Sequence, residues 1–139
     1  MFKLRHPIVD LAIICSDFQQ SLHFYRDLLG CEQVLDIQIP AETAIGANLA
    51  PTAFRQVRLK AGQTLIKLVE IRSPPPARSL DFQSGVRWLT FIVEDLPGTV
   101  SALKAKGVKF CAEPVSAPDA KHVVCAEAPD GILVELVEP

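Results

Sequence analysis

At 139 residues the chain can bury one domain's core, and its formal charge of -2, with Lys and Arg dispersed, gives no electrostatic reason to bind nucleic acid or an anionic membrane. The longest purely apolar run, LAIIC at 11–15, is far short of the roughly 20 residues of a membrane helix, and the N-terminus has no apolar signal-peptide core. The four cysteines (Cys15, Cys31, Cys111 and Cys125) contain no C-x-x-C pair, which predicts reduced thiols in a cytoplasmic protein, with Cys15 and Cys111 in the core.

IVDLAIIC at 8–15 reads as a strand covered on both faces. Ser16 with Gln19 has the form of a capping box, and Phe18, Leu22, Tyr25 and Leu29 form a stripe at helical spacing that Gly30 ends. CEQVLDIQI predicts a second strand, and PAETAIGANLAP a loop closed by prolines. FRQVRLK and QTLIKLVEI are expected to form a hairpin turning at Ala61-Gly62. The prolines of RSPPPARSLDFQSG, at 72–85, mark a semi-rigid linker. The order then restarts. VRWLTFIV is a strand, Asp95 caps a helix at 96–106 that Gly107 ends, and VKFCAEPV, HVVCAEA and ILVELVE are three more strands, the last two joined at Pro129-Asp130-Gly131.

The two halves therefore repeat a β-α-β-β-β order. LIKLVE at 65–70 and LVELVE at 133–138 differ at two positions, one of which sets Lys67 against Glu135. Those closing strands are 68 residues apart, whereas the helix-start aspartates Asp17 and Asp95 are 78 apart. The ten surplus residues of the first half are assigned to a loop at 38–53 that can act as a flap. The domain reading is one domain, 1–139, with units at about 5–72 and 86–139 and a linker at 73–85. The fold class is α+β, with two tandem β-α-β-β-β units.

SDFQQSLHFYRDLLGCE after the first strand and APDGILVELVEP at the end resemble the vicinal oxygen chelate superfamily, which groups glyoxalase, bleomycin-resistance and extradiol dioxygenase proteins. The resemblance covers essentially the whole chain. It implies curled mixed sheets around a cavity with helices outside, and homodimers are common in the group. Metal-using members carry ligands on the first and last strand of each unit. Those positions fall here on Asp10, Lys67, Trp88 and Glu135, of which only Glu135 is a usual ligand type. A lysine carries donors and no lone pair, and tryptophan cannot coordinate. The metal site is therefore expected to be lost, with no cofactor. The alternative is a divalent ion on Asp10 and Glu135.

Alternation places Lys67, Gln56, Arg58, Phe54, Leu65 and Val69 on one face of the first unit, and Val57, Leu59, Ile66 and Leu68 on the other, beneath the helices. In the second unit Glu135 shares its face with Leu133 and Val137, with Cys125 facing the cavity from the neighbouring strand, and Trp88, Thr90 and Ile92 form a third wall. One reading of the charges is a structural Asp10–Lys67 ion pair. The sharper one is a small-molecule site. Glu135, Lys67 and Asp10 are its catalytic candidates, and Arg58, Gln56, Trp88, Phe54 and Cys125 its binding candidates. Three functions stay open: a metal-independent lyase or isomerase acting on a small carbonyl or carboxylate compound, a non-catalytic binding or sequestering protein, and a divalent-metal enzyme with atypical ligands.

Overall fold

The computed structural model describes residues 1–139, which divide into two compact units, Met1–Pro75 and Pro76–Pro139. The first contains β1 (Leu11–Ile14), α1 (an α-helical turn Phe18–Leu22 running into a π-helical segment His23–Leu28), β2 (Glu32–Ile39), α2 (Ala41–Gly46), β3 (Phe54–Ala61) and β4 (Thr64–Glu70). The second contains β5 (Trp88–Ile92), α3 (Leu96–Ala105), β6 (Val115–Ala117), β7 (Ala120–Glu127) and β8 (Leu133–Glu138), with a short helical turn at Pro129–Gly131. No helix is long and apolar enough to cross a membrane.

Each unit is a four-stranded mixed sheet. The orders are β1-β4-β3-β2 and β5-β8-β7-β6, with the first strand parallel to the last and the remaining pairs antiparallel. The repeat holds at the level of single residues. Ala12 lies beside Lys67 in one sheet and Thr90 beside Glu135 in the other, at the same offsets of 78 and 68 that separate Asp17 from Asp95 and Lys67 from Glu135.

α1 and α3 both start on an aspartate. Asp17 accepts from the Gln20 N–H at 3.1 Å, and Asp95 from the Gly98 N–H at 3.0 Å, each satisfying an N-terminal donor that the helix cannot pair itself. The predicted Ser16 and Gln19 capping box is thus displaced by one residue: Asp17 is the residue with extended backbone angles and a carboxylate already aimed at the first turn. After His23 the helix widens, and Leu29 N–H bonds Phe24 O. The adjacent Phe24 and Tyr25 of this wider segment are both buried, their rings edge to face at 4.9 Å. Gly30 ends the segment at φ +80°.

α1 packs on β4, and Val57, Leu59, Ile66 and Leu68 are buried on the helix-covered face as alternation predicts. Each such side chain contributes roughly 1.5–3 kcal/mol relative to exposure. Arg55 shares that face. Its guanidinium lies 4.9 Å from the centre of the Phe18 ring and bonds both oxygens of Asp36, at 2.9 and 2.8 Å.

Two predicted elements differ. The 38–53 segment is not all loop, since Ala41–Gly46 is helical and the buried Ala44 packs on Phe54 and Val69, giving the segment an apolar anchor. VKFCAEPV is not a continuous strand: Phe110 makes one bridge to Ala126, and pairing resumes only at Val115 with a shifted register. Pro114, which has no N–H to give a ladder, sits in the interruption.

The acid limb of stability is expected to follow two carboxyls. Arg26 first, and then His23, hold Asp27 at about 2, and Arg55 holds Asp36 below the usual carboxylate range. A depressed folded value means that the stabilisation is complete above the unfolded pKa near ~4 and is lost as pH falls through the folded one. Both groups are solvent-screened, so the effect is modest. Urea midpoints should fall between pH 5 and pH 2.5, and less steeply in Asp36→Asn; an identical slope in that variant would remove Asp36 from the account.

Candidate functional site

The open face of the first sheet, opposite α1, is set by the β3–β4 hairpin. Its two-residue turn is Gly62-Gln63, not Ala61-Gly62, because Ala61 pairs with Thr64 and Gly62, at φ +61°, takes the first central position that a type II′ turn reserves for glycine. Moving the turn by one residue keeps every face and changes every partner. Arg58 therefore stands directly opposite Lys67, and Gln56 opposite Val69. A row of paired residues crosses the sheet: Ala12, Lys67, Arg58, Leu35.

Two cations side by side in that row have no carboxylate between them. Lys67 makes no ion pair, and Arg58 donates from Nε to the Gln56 side-chain oxygen at 2.7 Å, leaving its terminal nitrogens without a protein partner. Gln56 is only 8% exposed, so it is a fixed neutral prop that aims the guanidinium without neutralising it. Like charges directly opposite on adjacent strands cost on the order of 1 kcal/mol.

Asp10 does not pair with Lys67. Its Oδ1 accepts the Leu65 backbone N–H at 2.9 Å, closing the start of the parallel β1–β4 ladder just before Leu11 meets Ile66. The expected ion pair fails because an unpaired strand N–H lies within reach and, once bonded, holds the carboxylate at the ladder end. Phe54 is buried in the cluster with Ala44 and Val69, so it supports the open face as packing. An open depression of about 380 Å³ beside it is lined by Ile45, Asn48, Leu49, Ala50 and Pro51, and contains none of the candidate polar residues.

The corresponding row of the second unit reads Thr90, Glu135, Cys125. The Thr90 hydroxyl donates to Glu135 Oε1 at 2.7 Å, a contact invisible in the sequence because the residues are 45 apart. Trp88 is 48% exposed on β5 beside Leu133, and shares its face with Thr90 and the exposed Ile92. Cys111, expected in the core, is exposed, because the interrupted strand brings it to the sheet edge opposite Cys125, whose carbonyl accepts its N–H at 2.9 Å. No three His, Cys, Asp or Glu side chains are grouped as a metal site.

Two tandem units with these strand orders and this register are matched by the family model described as Glyoxalase/Bleomycin resistance protein/Dioxygenase superfamily over residues 7–136. The chain belongs to that superfamily. Among curated members it is 30% identical over 128 residues to the uncharacterized protein YaeR of Escherichia coli K12, covering 92% of each chain. Among solved structures it resembles SMU.1112c, with 26% identity, a TM-score of 0.76, and coverage of 98% of this chain and 100% of that one. It also shares the superfamily fold with TnmS3, an antibiotic binding protein from Streptomyces sp. CB03234, at 21% identity and a TM-score of 0.69, covering 100% of this chain and 99% of that one. For this superfamily member, the exchange of Lys67 for Glu135 sets a pair of cations on one open face against the carboxylates Glu135 and Glu127 on the other.

Proposed function

We propose that this superfamily member binds a small anionic organic molecule on the open face of its first unit, gripped by Arg58 and Lys67, without a resident divalent ion. The observation that carries the reading is the direct opposition of Arg58 and Lys67 with no carboxylate to neutralise them. An arrangement that costs stability when empty is relieved when a carboxylate, phosphate or sulfonate bridges it, and the guanidinium edge offers two parallel donors for such a group.

The donor set supports the absence of the metal. In the first unit one of the two ligand positions is the cation Lys67, and the other, Asp10, has an oxygen committed to a backbone N–H. In the second unit Trp88 has no lone pair to give, which leaves Glu135 with one oxygen already bonded by Thr90. The superfamily fold accommodates small-molecule binding, as TnmS3, an antibiotic binding protein, illustrates for its own chain.

Calorimetry with benzoate, phenyl phosphate and benzenesulfonate, each against a neutral amide or alcohol of the same shape, tests the proposal. The anions should bind and the neutral partners should not. Arg58→Met and Lys67→Met should each weaken binding by about tenfold or more, equivalent to about 1.4 kcal/mol. Equal binding of anion and neutral analogue, or unchanged affinity in both variants, would discard it.

A second reading, a metal-independent lyase or isomerase, is favoured by the Thr90–Glu135 bond, which holds a carboxylate in one orientation as proton transfer requires. Recovery of the bound compound separates the two. Unaltered compound supports sequestration, whereas conversion that disappears in Glu135→Gln assigns Glu135 as the base.

A further inference from the structure

Cys111 and Cys125 sit opposite each other across the edge of the second sheet. Phe110 bridges Ala126 antiparallel, Cys111 N–H bonds Cys125 O at 2.9 Å, and Glu127 N–H bonds Lys109 O at 2.9 Å, so residues 109–111 run in register against 125–127. Directly opposed residues of an antiparallel pair project to the same face with Cα atoms about 5.5 Å apart or less, inside the 4.4–6.8 Å that a disulfide spans. One thiol is exposed and the other half-buried, whereas the remaining two cysteines, Cys15 and Cys31, are buried in the first unit.

We propose that Cys111 and Cys125 are a reversible thiol modification site, closing to a cross-strand disulfide when a low-molecular-weight disulfide such as glutathione disulfide acts as oxidant. The Cys111 thiolate attacks one sulfur of the small disulfide and expels one thiolate, leaving a mixed disulfide. The Cys125 thiolate then attacks the Cys111 sulfur and expels the second. The protein dithiol loses two electrons and two protons, and one small disulfide becomes two thiols.

The surroundings set the rate. Burial and then the Glu127 carboxylate push the Cys111 thiol up, and burial, Glu135 and Cys111 itself push Cys125 up, while Arg87 opposes both. The pair is therefore mostly protonated at neutral pH, and exchange should accelerate as pH rises toward 9. Closure would also remove the thiol beside Glu135 and pin the 109–111 segment to β7. This inference does not rest on the anion site, which lies in the other unit.

The full chain is incubated with excess glutathione disulfide at pH 8.5, quenched with a maleimide under denaturing conditions, weighed intact and mapped by peptide mass. The expected product is lighter by two hydrogens, with alkylation falling from four sites to two, both of them at Cys15 and Cys31. A reductant should restore four. Cys111→Ser should prevent closure without disturbing the fold, because Cys111 is exposed. Four persistent thiols, glutathione retained on Cys111 or Cys125 with no internal link, or a link involving Cys15 or Cys31 would each overturn the proposal.

Discussion

Gly131→Ala is expected to lower stability by about 3 kcal/mol, and the melting temperature by about 10 °C. Gly131 ends the Pro129–Gly131 turn between β7 and β8 at φ +72°, directly after Asp130 at φ +69°. A left-handed backbone alone costs an L-residue roughly 1–2 kcal/mol. The rest comes from the linker, because a Cβ on Gly131 would overlap the backbone carbonyl of Arg78. That carbonyl is main chain and cannot rotate aside as the tip of a flexible side chain would. Gly30→Ala and Gly62→Ala separate the two contributions, since both have positive φ, at +80° and +61°, and nothing within 4 Å of the added atom. They should lose only that backbone part, roughly 1–2 kcal/mol each. Thermal melts of the three variants decide it. If Gly131→Ala melts with Gly30→Ala, the linker does not press on the turn.

Lys67→Glu should raise the melting temperature of the ligand-free protein while reducing affinity for an anion by about 100-fold. The variant replaces a like-charged cross-strand pair with an opposite-charged one at the position facing Arg58, a change worth on the order of 1 kcal/mol in favour of the fold. It also consumes the guanidinium that an anion would need and adds a repelling carboxylate. Lys67→Met is the neutral reference: it should gain about half the stability and lose about tenfold in affinity. A gain in function together with a loss in stability at one residue is the mark of a binding site, since a purely structural lysine would lose stability on reversal. A lower melting temperature in Lys67→Glu would show that the two side chains do not share a field, and retained anion binding would place the site elsewhere.

The repeat was legible because it is local and periodic. Two strands ending in LVE, two aspartates before apolar stripes, and glycines after them each mark an element without reference to the rest of the chain. Alternation also sorted the faces correctly at Val57, Leu59, Ile66 and Leu68, because a period of two survives a small error in the turn. Pairing did not survive it. With the turn at Ala61-Gly62, Arg58 would have faced Leu65 and the two cations would have been only diagonal neighbours; the glycine at the first turn position brings them opposite.

Three further features were settled only by contacts between distant segments. Asp10 bonds the backbone 55 residues away at Leu65, a partner that no side-chain pattern announces because every residue but proline has the same N–H. Thr90 finds Glu135 through the parallel pairing of β5 and β8. Cys111 leaves the core for the sheet edge because its strand breaks before Pro114, which an apolar run such as VKFCAEPV does not reveal. The sequence by itself determined the repeated unit, the helix-covered faces and the superfamily, because those depend on residue type and spacing along the chain. Tertiary structure decided which charges, carboxylates and thiols meet, because a hydrogen bond or an ion pair depends on register across strands, and register is fixed by turn geometry and competing backbone donors that residue type alone does not specify.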